Sequence, residues 1–255
     1  MGLFGSIKHD ILAFIARCNG NGVIAEDFEA RELGIDKVKS ISVRGPWCVE
    51  IRPADGKNHG RIIIEKRFLD RADFRYGDEA INLSMLEVIG FGPKIMPRLE
   101  LYLDELPAVV TLSDSAKISA ASPMTGKNLL VEARGQAQVD LSGVHLESLK
   151  VNLNLHSECR CDGEINIVSA KITHQAKCEF SGSIDDFSAE MCGRSVLTVA
   201  QAENAAFRLA EDAEAKIIAV EKLNVSARGI AKLYYAGTPE IIRNISEYAQ
   251  LIAIK

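Results

Sequence analysis

Residues 112–122 read LSDSAKISAAS, a short alternating run, a polar turn and a second alternating run. Five echoes follow: ARGQAQVDLSG (133–143), LNLHSECRCDG (153–163), ITHQAKCEFSG (172–182), MCGRSVLTVAQ (191–201) and ARGIAKLYYAG (227–237). Aligned on one small residue, the chain gives the column Ala116, Ala137, Ser157, Ala176, Ser195, Ala215, Ala231 and Ala249. Subtracting residue numbers gives steps of 21, 20, 19, 19, 20, 16 and 18. The sequence is a repeat with a period near twenty.

Within each unit the alternation marks a strand with one buried face. Ile118, Val139, Cys159, Cys178 and Leu197 follow the small residue at the next inward place. A second alternating run precedes it, as in Leu129/Val131/Ala133, Leu149/Val151/Leu153, Val168/Ala170/Ile172 and Phe187/Ala189/Met191. Gly135, Gly193 and Gly229 fall between the two runs, where a corner calls for positive φ. Such a unit cannot bury its apolar face alone, so copies must stack. In a parallel stack equivalent residues touch, and the outward columns then pair Glu158 with Lys177, Arg160 with Asp140 and Glu179, and Lys171 with Glu190. Opposite charges on neighbouring strands stabilise, and like charges would not. Lys216 and Lys232 break the pattern in this alignment. The fold expected is all-β: a right-handed parallel β-helix of about 19–20 residues per coil, right-handed because parallel crossovers almost always are.

Residues 20–105 fit the period less regularly than 106–255. KSISVRGPWCVEIRPADG reads as one more unit, with Ile41, Val43, Val49 and Ile51 inward and Trp47 in the small-residue place, as a plug at the end of the core. No Pro/Gly/Ser-rich linker interrupts the chain, so residues 20–255 are expected to form one continuous domain. The segments IDKVKSISVRGPWCVEIRP, YGDEAINLSM, LELYLDELPAVVTLSDSAKISA and ARGIAKLYYAGTPEI, with the repeats between them, resemble the "putative auto-transporter adhesin, head GIN domain" family. Where family members show Gly-Ser-Gly turns, this chain has SDS, RGQ and RGI. The resemblance implies a right-handed parallel β-helix of the bacterial envelope, with no catalytic residue to carry over.

Composition fits a globular chain: 255 residues, 47% hydrophobic and 25% charged. The net charge is −5 and no Lys/Arg block stands out, so the electrostatic footprint of a nucleic-acid binder is missing. Six cysteines, none in a CxxC pair, do not read as a disulfide framework and favour a reducing compartment, cytoplasmic or membrane-associated.

Three readings compete for MGLFGSIKHDILAFIARC (1–18). Phe4, Ile7, Ile11, Phe14 and Cys18 are spaced as one face of an amphipathic helix, which would cap the solenoid or touch a membrane surface. IARC has the shape of a lipid-attachment box ending in Cys18, which would place the protein in the cell envelope, although Asp10 abuts a short apolar core. Gly2 with Ser6 also matches the myristoylation pattern.

Chemistry is sparse. There is no GxSxG, P-loop or HExxH motif. His156, Cys159, Cys161, His174 and Cys178 form the only metal-like constellation, but the cysteines sit in columns otherwise filled by apolar residues, where cysteine acts as a small hydrophobe. Asp140, Asp185 and Asp186 are the acids nearest to a glycosidic pair. In one outward column Ile218, Tyr234 and Ile252 follow Ser119, Asp140, Arg160, Glu179 and Thr198, an apolar stripe suited to a homodimer contact or a covering segment of the same chain. The expectation is a non-catalytic, adhesin-like binding or scaffold module with no cofactor, no metal and no nucleic acid, and with a protein or glycan surface ligand. The alternative is a carbohydrate-active β-helix enzyme.

Overall fold

The computed structural model describes residues 27–85, 95–120, 123–246 and 248–254. The elements in chain order are β1 (Phe28–Gly34), β2 (Ser40–Arg44), β3 (Cys48–Pro53), β4 (His59–Glu65), β5 (Ala72–Gly77), β6 (Ala80–Met85), β7 (Arg98–Leu103), β8 (Val109–Ser113) and β9 (Lys117–Ala120). The repeats supply β10 (Met124–Ala133), β11 (Gln138–Leu153), β12 (Glu158–Ile172), β13 (Lys177–Phe180), β14 (Ser183–Met191), β15 (Val196–Leu209), β16 (Glu214–Ala227), β17 (Lys232–Ala236), β18 (Glu240–Ile245) and β19 (Gln250–Ile254). They wind into a parallel β-solenoid of about eight turns.

Two long walls enclose the core. Wall A stacks β6, β2, β8, β10, β11, β12, β14, β15, β16 and β18. Wall B stacks β7, β3, β9, β11, β12, β13, β15, β16, β17 and β19. The longest strands, β11, β12, β15 and β16, turn a corner and serve both walls. Inward residues of the two walls meet in one apolar cluster running from Ile35 to Ala249. Phe187 is packed there between Phe180 and Phe207, with ring centroids 5.5 and 5.6 Å apart.

Walls A and B meet at a tight corner whose residues repeat one backbone state. Asp114, Gly135, Leu155, His174, Gly193, Glu211 and Gly229 all have φ between 63° and 78°. Amides continue the ladder through it, Gln136 N–H donating to Asp114 and His156 N–H to Gly135. On the other side, where wall B turns back towards wall A, Gly182 lies over Gly163 and Gly163 over Val144. A Cβ on Gly182 would overlap the Gly163 carbonyl oxygen, and one on Gly163 the Val144 carbonyl oxygen. The sequence places glycine where the coils approach too closely for any side chain.

The register corrects one step of the repeat. Val196 pairs with Glu214, so Ser195 is followed in its column by Ala213, not Ala215. The steps at that place become 18 and 18 in place of 20 and 16. Both alanines point inward and are buried, which is why alternation alone could not separate them. Corrected, Lys232 stacks on Glu214, and the clash between Lys216 and Lys232 disappears.

The N-terminal coils are threaded out of order. The coil formed by β2 and β3 lies between the layer of β6 and β7 and the layer of β8 and β9. Ile41, Val43, Val49 and Ile51 point inward as expected. Trp47 is buried too, but one layer in from the end, so it is not an end plug. Among the described residues this end is closed by antiparallel strands: β4 pairs with β7, β1 with β4, and β5 with β6. A short 3-10 helix, Lys66–Arg71, adds the buried Phe68. The amphipathic helix expected over residues 1–18, and Cys18 with it, lies outside the described residues.

Candidate functional site

The outward columns decide what the solenoid presents. On wall B they are ladders of paired charges: Lys177 with Glu158 at 3.8 Å and Arg160 with Glu179 at 3.9 Å. These pairs are exposed, and each is worth a fraction of a kcal/mol. They specify register more than they attract a ligand.

Wall A is different. Its outward side chains alternate long and short, and the short ones open grooves. Ser169, Thr173 and Asn154 help form a trough of about 750 Å³ between Lys150, Lys171 and Glu190. A second, of about 340 Å³, shares Lys171, Thr173 and Glu190 and continues past Cys192 to Arg208 and Arg228. A third, of about 490 Å³, is more apolar, with Ser188 and Ala206 between the Ile167 and Ile242 ends and Asp186, Asn204 and Lys222 along one side. Parts of these linings are tied together across coils: Asn204 Nδ2 donates to Asp186 Oδ1 at 2.9 Å, Asn152 Nδ2 to Glu132 Oε1 at 3.3 Å, and Arg208 Nη1 to Glu190 Oε1 at 3.0 Å.

The metal-like constellation does not assemble. Cys159, Cys161 and Cys178 point into the core, whereas His156 and His174 are exposed at the tight corner. No group of three or more metal-type ligands exists among the described residues. Cys159 stacks on Cys178, and the hydrogen bond between them, reinforced by burial, raises the Cys159 thiol well above its ordinary range. Burial, followed by the neighbouring Cys159, raises Cys161 likewise. These are protonated core thiols.

The three acids do not converge either. Asp140 is exposed on wall B in register with Arg160, while Asp185 and Asp186 lie at the start of the wall A portion of β14.

The apolar stripe is redistributed by the corrected register. Thr198 is followed by Lys216, Tyr234 and Ile252, so Tyr234 and Ile252 stack but Ile218 does not join them. Ile218, 47% exposed, sits two residues further along, at the end of the wall B portion of β16. The grooves of wall A, with Arg134, Lys150, Lys171 and Arg228, escaped the sequence reading. Their signal was available in the outward positions of the first run of each unit, of which only Lys171 and Glu190 were read.

A family model described as "Putative auto-transporter adhesin, head GIN domain" matches residues 39–239. The chain belongs to this family. Solved structures of other bacterial proteins share its fold. A putative lipid binding protein from Parabacteroides distasonis superposes with a TM-score of 0.79 at 18% identity, covering 92% of this chain and 98% of that one. A putative adhesin from Parabacteroides merdae gives 0.77 at 14% identity with the same coverages. One from Bacteroides fragilis gives 0.63 at 15% identity, covering 89% and 94%. Among proteins of curated function, none matches the sequence. At these identities the likeness concerns the fold.

Proposed function

We propose that this head GIN domain protein is a non-catalytic, adhesin-like binding module of the bacterial cell envelope or membrane face, and that it binds through the outer side of wall A. The observation that carries the reading is the run of adjoining grooves on one rigid wall whose coils are locked in register. A rigid surface loses little entropy on binding, which favours extended ligands with many weak contacts. The relatives' descriptions as adhesins or a lipid-binding protein agree with a surface role. Asp140 stands on a different wall from Asp185 and Asp186, and a glycosidic mechanism needs its two carboxyls to face one bond.

Sedimentation with isolated envelopes tests the reading. The purified protein should pellet with envelopes and stay in the supernatant without them. A panel of acidic and neutral polysaccharides should show no new reducing ends or unsaturated products. Product formation would favour the alternative, a carbohydrate-active enzyme; a protein that stays soluble with envelopes contradicts the surface role.

A further inference from the structure

The two adjoining grooves of wall A are basic in a chain of net charge −5. Arg134, Lys150, Lys171, Arg208 and Arg228 line them, against two carboxylates, Glu132 and Glu190. The carboxylates are already engaged, Glu132 by Asn152 and Glu190 by Arg208. Among the described residues Arg134, Lys150, Lys171 and Arg228 enter no ion pair, in contrast to Lys177 and Arg160 of wall B. From Arg134 to Arg228 the corner advances five coils, about 24 Å at the spacing of paired strands.

We infer that these two grooves form one binding site for a linear anionic polysaccharide carrying carboxylates, lying along the solenoid axis. The inference rests on the binding-module reading above and adds the ligand class. Arg134, Lys150 and Lys171 stand on successive coils and Arg228 three coils further on, an array along the axis that suits a ligand whose negative charges repeat along its length. Hydroxyl and amide groups between them, from Ser169, Thr173, Asn154 and Ser226, suit sugar hydroxyls. The length of the array favours a polymer over a single small anion: each exposed contact is weak, and affinity must come from several engaged together.

The test uses the full chain and four probes: polygalacturonate, dextran as a neutral polymer, vesicles of phosphatidylglycerol and phosphatidylcholine, and isolated envelopes. Polygalacturonate should bind, and its affinity should fall about tenfold or more as salt rises from about 0.01 M to about 0.15 M and screening shortens. The charge reversal Lys150→Glu/Lys171→Glu/Arg228→Glu should weaken binding about tenfold or more, and the wall B reversal Lys216→Glu/Lys232→Glu less than about threefold. Both variants should keep the wild-type circular dichroism; if the triple variant unfolds, the single Lys171→Glu variant with a several-fold loss carries the same test. Equal losses from the two walls would overturn the site. Dextran binding as tightly as polygalacturonate, or vesicles binding when the polymer does not, would overturn the ligand class while leaving the binding module standing. Failure of the wild-type chain to bind even envelopes would remove the broader reading with it.

Discussion

Ser157 and Ser195 fill the same inward column two coils apart, yet only one hydroxyl is satisfied. Ser157 Oγ lies 3.1 Å from the Ala133 carbonyl and 2.9 Å from the Asn154 carbonyl, whereas Ser195 Oγ, equally buried, has no partner among the described residues. A buried polar group without a hydrogen bond costs about 1–3 kcal/mol. Ser195→Ala should therefore stabilise the protein by about 1 kcal/mol and Ser157→Ala should destabilise it by a similar amount. Denaturant unfolding of the two variants checks the signs; two shifts in the same direction would contradict the assignment.

Ala176 stands between these serines with no exposed surface. Ala176→Leu inserts three carbons where coils are already in contact, and overpacking of this kind costs about 1–3 kcal/mol. The unfolding midpoint should fall clearly. An unchanged midpoint would mean that the column does not face the core.

The glycine stack gives a sharper contrast. Gly182→Ala would drive a Cβ into the Gly163 backbone, while Gly77 has nothing among the described residues within 4 Å of where its Cβ would stand. Gly182→Ala should cost about 3 kcal/mol or more, and Gly77→Ala should stay within about 0.5 kcal/mol. Thermal melts of both variants, compared with wild type, test the close approach of the coils.

The core thiols add a pH dependence. Folded Cys159 and Cys161 hold their protons above the ordinary thiol value of 9.0, at which the unfolded chain releases them. Above that value the unfolded state binds fewer protons, so stability is lost as pH rises past about 9. Unfolding free energy measured from about pH 7 to about pH 10 should decline, and Cys161→Val should flatten the decline. In native protein at pH 8 or so, iodoacetamide should label Cys48 and Cys192, which are partly exposed, before Cys159, Cys161 or Cys178.

Most of the solenoid was legible because stacking writes itself into the sequence. The pairings Glu158 with Lys177 and Leu149 with Val168 follow from the period alone and stand in the structure. Two things were hidden. The segment AEDAEA offers alanine at 213 and 215, both inward, and a shift of two residues leaves every side chain on its own face; only backbone pairing chooses, and the choice exchanges Ile218 for Lys216 in the outward column. The second is the threading of the β2/β3 coil between later strands, since local alternation says nothing about which coil lies next to which. The basic grooves needed both walls placed first: Arg134 and Arg228 are 94 residues apart in sequence and share one column only once five coils have been stacked in register.

Lysine reactivity tests the central claim, that wall A is the binding surface, most directly. Acetylation of the wild-type protein, free and mixed with isolated envelopes, can be read residue by residue from peptide masses. The account predicts that envelopes protect Lys150 and Lys171 several-fold, while Lys177, Lys216 and Lys232 on wall B react as in the free protein. Protection confined to wall B, or equal on both walls, would contradict it.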